Sequence, residues 1–231
     1  MALLMGLLVA VAAHADCVIL LHGLARTARS MEELESAFAQ RGYKVANVDY
    51  PSREQPIETL AGDAIQAGLA LCHMEGDEKV HFVTHSMGGI LVRYYLRKNT
   101  LPNLGRVVML APPNGGSEVV DHLRDVPGFE LLNGPAGMEL GTDAQSVPVR
   151  LGPVTYPVGV IAGTRSVNPI LSQYLPNPDD GKVSVESAKV EGMADFITLP
   201  VPHPFIMRSD EAIRQALAFV ETGAFIHDSP E

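Results

Sequence analysis

The chain has 231 residues, of which 46% are apolar and 19% charged, and its formal net charge is −10. That length suits one domain, or two small ones, with a sizeable core, and the composition excludes global disorder. The acidic balance opposes nucleic acid and anionic lipid surfaces as partners, and two Cys are too few for a disulfide scaffold or a four-thiolate zinc site.

Ala2 to Ala13 is an unbroken run of small and apolar residues, and Ala13-His14-Ala15 fits the small-x-small rule for signal peptidase. Residues 1–15 therefore read as a signal peptide cleaved before Asp16, and the protein as secreted or periplasmic. The run is too short for a stable membrane span. No Lys or Arg precedes it, so the alternative is a buried N-terminal element of a cytoplasmic protein. Cys17 and Cys72 either pair in an oxidising compartment or stay as buried free thiols. Asp16 occupies the position at which a lipoprotein box needs a small residue.

Strands and helices then alternate. Cys17 to Leu21 is an aliphatic strand of the kind buried on both faces. Ser30 to Arg41 predicts a helix, with Ser30 and Glu33 at capping-box spacing and Gly42 as its stop. Lys44 to Asp49 is a strand, Pro56 to Met74 a helix, Lys79 to Thr84 a strand and Met87 to Lys98 a helix. Arg106 to Ala111 is a fourth strand, ended by Pro112-Pro113. Residues 114–155 are rich in Gly and Pro and read as an insertion with short helices over the site. Tyr156 to Ala162 and Asp195 to Leu199 are further strands, and Ser209 to Glu221 is the last helix. Helices of this length between strands imply right-handed crossovers and a mostly parallel sheet of about six strands with helices on both faces. Residues 16–231 thus form a single α/β domain, whose ligands bind at the carboxyl ends of the strands.

That placement selects the chemistry. In Val83-Thr84-His85-Ser86-Met87-Gly88-Gly89 a strand runs directly into a helix with Ser at the junction, the pattern of a nucleophile elbow. Thr84 stands where the motif has its first Gly. Leu21-His22-Gly23-Leu24 ends the first strand, and Gly23 lets the next N–H turn into the site. The backbone N–H groups of Leu24 and Met87 are the candidate oxyanion donors. Among eight His, His203 follows the last strand in a Pro-stiffened loop and is the candidate base. His22 is read as structural, and His85 is expected to point away along the helix. The acid must lie between Ser86 and His203; Asp180, directly before Gly181, is the choice and Asp179 the runner-up. Asp121 and Asp125 read as a solvated helix face. No His pair stands at i, i+4 on a predicted helix, so no metal or other cofactor is expected.

These pieces, with Ala111-Pro112-Pro113-Asn114-Gly115-Gly116-Ser117, resemble the α/β-hydrolase superfamily across most of residues 17–222. Within it the chain is similar to bacterial lipases and esterases, and to lipase-like proteins related to GPI inositol-deacylases. The resemblance implies a Ser86–Asp180–His203 triad, an oxyanion hole at Leu24 and Met87, and a small-molecule or lipid carboxylic ester as substrate. Phe205 replaces the acidic residue that calcium-binding lipases carry two places after their His, so no calcium site is expected. The insertion is short for a large lid, which favours a soluble esterase over a lipase acting on aggregates. An acyltransferase, a thioesterase and a non-catalytic binding protein are the alternatives. Acyl chain length, alcohol and oligomeric state are not encoded in any motif; the pocket depends on residues 114–155 and 164–178.

Overall fold

The computed structural model describes residues 16–73 and 76–227. The expected signal peptide, residues 1–15, lies outside them. Six strands form one all-parallel sheet: β1 (Cys17–Leu21), β2 (Lys44–Val48), β3 (Val80–His85), β4 (Leu104–Leu110), β5 (Val158–Gly163) and β6 (Asp195–Leu199), in the order β2-β1-β3-β4-β5-β6. The order reverses direction around β1, which leads out to β2 and then back across to β3. Such a reversal opens a crevice at the carboxyl edge.

The central strands are buried on both faces, and their alternation sorts side chains between two cores. Ile19 and Leu21 of β1 join one apolar cluster, and Val18 and Leu20 join the other. The first cluster lies under α2 (Ile57–Cys72) and α3 (Met87–Lys98). The second lies under α1 (Glu32–Gln40) and α9 (Asp210–Thr222). Three short helices, α4 (Glu118–Leu123), α5 (Phe129–Met138) and α6 (Val147–Leu151), make up the insertion between β4 and β5. Two more, α7 (Pro169–Ser172) and α8 (Val185–Ala188), lie between β5 and β6. Among the described residues no helix is long and apolar enough to cross a membrane.

Strand ends shift by one or two residues from the sequence reading, and two helix ends move for identifiable reasons. Ala28–Met31 is a 3-10 turn, and α1 begins only at Glu32, because the Ser30 hydroxyl donates back to the Thr27 carbonyl at 2.8 Å rather than capping a helix. At the far end of α2, the helix stops at Cys72 and His73 takes a left-handed conformation, φ 44°.

Cys17 and Cys72 are bonded to each other, joining the first residue of β1 to the last of α2 across 55 positions of sequence. Both are almost fully buried. The bridge therefore clamps a layer that packing already holds. Its main contribution is restriction of the unfolded chain, about 4 kcal/mol for a loop of this length in the chain-entropy account. His22 supplies a second fastening at the sheet edge. Its ring stacks on Tyr50 at 4.0 Å, its Nδ1 donates to the Gly23 carbonyl at 2.9 Å, and the Tyr50 hydroxyl donates to the His22 carbonyl. His22 is thus structural, as its strand-end position implied.

Two measurements follow from these fastenings. The Cys17→Ala/Cys72→Ala double variant is expected to lose about 2–4 kcal/mol of stability in a denaturant titration, and the unreduced, denatured wild type to offer no thiol to an alkylating reagent. Stability is also expected to fall as pH drops below about 6.5. Burial lowers the pKa of His22, and burial followed by the neighbouring His203 lowers that of His85 well below the ordinary value. The unfolded chain then binds these protons first, so the stability they contribute is complete above the unfolded value and is lost below it. Equal denaturation midpoints at pH 7 and pH 5.5 would contradict this.

Candidate active site

Ser86 stands between β3 and α3 with φ 52° and ψ −123°, a strained conformation for a residue with a side chain. The surroundings impose it. The Ser86 N–H donates to the Leu110 carbonyl at 2.8 Å, and its carbonyl accepts from Gly89 at 3.0 Å. Two residues on, α3 passes so close to the end of β1 that a Cβ at Gly88 would lie 2.5 Å from the Leu21 carbonyl oxygen and 2.9 Å from that of His22. Only glycine permits this approach. Thr84, at the first small position of the motif, is fully buried and its hydroxyl donates to the Val108 carbonyl at 3.3 Å. The departure is accommodated because that hydroxyl has a partner.

The three side chains selected from sequence meet at the carboxyl edge of the sheet. His203 Nε2 lies 3.1 Å from Ser86 Oγ, and His203 Nδ1 lies 2.8 Å from Asp180 Oδ2. Asp180 is 1% exposed. Its other oxygen accepts the backbone N–H groups of Lys182 and Val183 at 3.0 and 2.8 Å. Its backbone carbonyl accepts the N–H of His203 at 3.0 Å. Two segments 23 residues apart are thereby tied by both main chain and side chain. Asp179, the runner-up, faces elsewhere: its Oδ1 accepts from the Ser172 hydroxyl and the Gly181 N–H, both at 2.7 Å, and builds the turn. Asp121 is likewise structural, holding Arg124 at 2.7 Å and the backbone N–H of Thr142 at 3.1 Å.

His85 corrects the sequence reading. Its ring does not point away along the helix. It is 2% exposed, lies 4.9 Å from the His203 ring, and its Nε2 donates to the His203 carbonyl at 3.1 Å. The last residue of β3 still follows strand alternation, which turns this side chain toward the His203 loop before the helix begins. The depressed pKa keeps the ring neutral and able to donate. Gly23 closes over it, since a Cβ there would lie 2.8 Å from His85 Nδ1.

The backbone N–H groups of Leu24 and Met87 have no protein acceptor among the described residues. That of Met87 is one of the orphan donors opening α3. Both residues border the Ser86 hydroxyl: Leu24 lines the same cavity, and Met87 is the next residue in the chain.

That cavity, about 390 Å³, is open to solvent and has Ser86 and His203 in its wall. The insertion supplies Val119, Val120, Phe129 and Leu140, and the segment after β5 supplies Val167 and Leu171. These are the two regions from which the pocket was expected. Arg93, which no motif flagged, holds the insertion in place. Its buried guanidinium donates to the carbonyls of Asn114, Pro148 and Gly152 at 2.9, 3.2 and 2.6 Å. Burial lowers its pKa to about 10. The signal in the sequence was an Arg inside the apolar run Ile90-Leu91-Val92 and its continuation. The Ser117 hydroxyl donates to the Lys182 carbonyl at 2.7 Å and links the start of the insertion to the Asp180 turn.

Comparison with known proteins agrees with this architecture. No curated protein sequence gives a match. Among solved structures, the mature form of the lipase BlEst2 from Bacillus licheniformis superposes with a TM-score of 0.68 at 17% identity, over 91% of this chain and 92% of that one. The metagenomic carboxyl esterase MGS0156 gives 0.66 at 18%, over 83% and 65%. A thioesterase, RedJ, from the prodiginine pathway of Streptomyces coelicolor gives 0.52 at 15%, over 92% of each chain. At these identities the likeness is one of fold. The model of the alpha/beta hydrolase family matches residues 18–225, and with the sheet order and the strand-to-helix turn at Ser86 in place, the chain belongs to that family.

Proposed function

We propose that the protein is a serine ester hydrolase of the carboxylesterase or lipase type, with Ser86 as nucleophile, His203 as base and Asp180 as the orienting acid. The observation that carries this reading is the continuous hydrogen-bonded chain from Asp180 through His203 to Ser86 Oγ, ending at the wall of an open, largely apolar cavity. A serine hydroxyl is a weak nucleophile at neutral pH. Neutral His203 takes the hydroxyl proton on Nε2 as Oγ attacks the ester carbonyl carbon. The Asp180 carboxylate, fixed by two backbone N–H groups, holds Nδ1–H and stabilises the imidazolium. The negative oxygen of the tetrahedral intermediate takes the unengaged N–H groups of Leu24 and Met87, each worth about 2.7–4 kcal/mol in comparable sites. His203 then protonates the departing alcohol, leaving an acyl group on Ser86. Water, activated by the same imidazole, releases the acid.

Fold relationship supports this class of chemistry without fixing the acceptor. The thioesterase neighbour motivates a second reading, an acyl-enzyme passed from or to a thiol or another alcohol. Added alcohol distinguishes them: an acyltransferase yields the new ester, a hydrolase the free acid. A non-catalytic binding role predicts no reaction of the folded protein with a fluorophosphonate probe. We also infer export to an oxidising compartment, supported by the Cys17–Cys72 bond immediately after the expected cleavage point.

The test is hydrolysis of a series of p-nitrophenyl esters of increasing chain length by the mature protein. Ser86→Ala is expected to lower kcat about 10⁶-fold and to abolish fluorophosphonate labelling, with the circular dichroism spectrum unchanged. Asp180→Asn is expected to lower kcat about 10⁴-fold by favouring the wrong imidazole tautomer. Wild-type rates in either variant would overturn the assignment.

A further inference from the structure

The overall charge of −10 is not repeated in the cavity. Two cations line it, Arg26 and Lys182, and both reach solvent. Among the described residues the only carboxylate in its wall is Asp180, already occupied by His203 and two backbone N–H groups. Among the described residues neither Arg26 nor Lys182 forms an ion pair, and neither side chain makes a hydrogen bond. Asp49 and Glu54 share with Arg26 a groove adjoining the cavity, but neither comes within ion-pairing distance of it.

The position of the two cations in the chain reinforces the point. Arg26 comes two residues after Leu24, and Lys182 two residues after Asp180. The loop after β1 and the turn between α7 and α8 thus each deliver one positive charge to the cavity that Ser86 lines. The charges act on one another: burial first, and then Arg26, lowers the pKa of Lys182, and the Asp180 carboxylate offsets this only in part. Like charges gathered in a partly desolvated cleft are unfavourable until an anion joins them. A cleft lined by one sign also concentrates ligands of the other. The remainder of the wall is apolar, through Val120, Phe129 and Leu140.

We propose that Arg26 and Lys182 form an anion subsite, and that the substrate is an ester carrying a fixed negative charge, a carboxylate or a phosphate, beside an apolar acyl portion. This rests on the hydrolase reading above for its chemistry, but not for the binding of the anion.

Two substrate pairs locate the charge. One compares p-nitrophenyl butyrate with the mono-p-nitrophenyl ester of glutaric acid, whose carboxylate is on the acyl side. The other compares a medium-chain monoacylglycerol with its phosphate monoester, whose charge is on the alcohol side. The charged member of at least one pair is expected to have the higher kcat/KM in the wild type. The ratio of charged to neutral is expected to fall about tenfold in Arg26→Gln/Lys182→Gln, the size expected of two partly exposed ion pairs. It should also shrink as salt rises. Which pair responds tells whether the subsite reads the acid or the alcohol. Calorimetric binding of hexyl phosphate against hexanol provides a readout that needs no turnover, with the same tenfold loss expected in the double variant. Ester hydrolysis with a charged-to-neutral ratio that the double variant does not move would overturn the anion subsite and leave the hydrolase standing. Hexyl phosphate binding that depends on both cations, in a protein that cleaves no ester and takes no fluorophosphonate label, would overturn the hydrolase and leave the subsite.

Discussion

The close approach of α3 to the end of β1 governs the whole carboxyl edge of the sheet. With no side chain at Gly88, the helix rests on the Leu21 and His22 carbonyls, and the chain must reverse at Ser86 through a positive φ to reach it. That reversal lifts one hydroxyl clear of the strand and turns the first helical N–H groups toward the same space. The strain is local and the sheet holds it, because Ser86 is also anchored to β4 through Leu110. Similar tension recurs along this edge. Of the four non-glycine residues at positive φ among those described, Ala25, Ser86 and Ala111 each lie close after β1, β3 and β4.

Around that fixed point, the remaining loops hold one another rather than standing alone. His85 fastens the His203 carbonyl from below, and the Asp180 carbonyl fastens the His203 N–H from the side. Ser117 joins the insertion to the Asp180 turn, and Arg93 joins the insertion to α3. Each bond satisfies a polar group that burial would otherwise penalise by about 1–3 kcal/mol. The same bonds therefore stabilise the edge and restrict its geometry. Preorganisation of this kind is what an imidazole needs if it is to meet a hydroxyl at 3.1 Å without further rearrangement.

The cavity above this edge combines an apolar lining from the insertion and the segment after β5 with two cations from the β1 and Asp180 loops. The two surfaces have separate origins in the chain, so the apolar and the cationic lining can change independently. Against a net charge of −10, the cationic lining is the more distinctive of the two.

Much of this was legible in the linear chain. The aliphatic runs, the helix lengths between them and the strand-to-helix junction at Ser86 determined a parallel sheet with a turn at its carboxyl edge, because periodicity and local sterics act over a few residues. Asp180 and His203 could be selected by position after strands. The distances that join them could not, since they depend on which loops the sheet order brings side by side. The helix α1 starts later than capping-box spacing implies because the Ser30 hydroxyl has a competing backbone acceptor in Thr27, invisible to spacing alone. The orientation of His85, the pairing of Cys17 with Cys72, the role of Arg93 and the convergence of Arg26 with Lys182 were all decided by tertiary structure. Each is a relation between residues far apart in sequence, and only packing of the whole domain sets their separation in space.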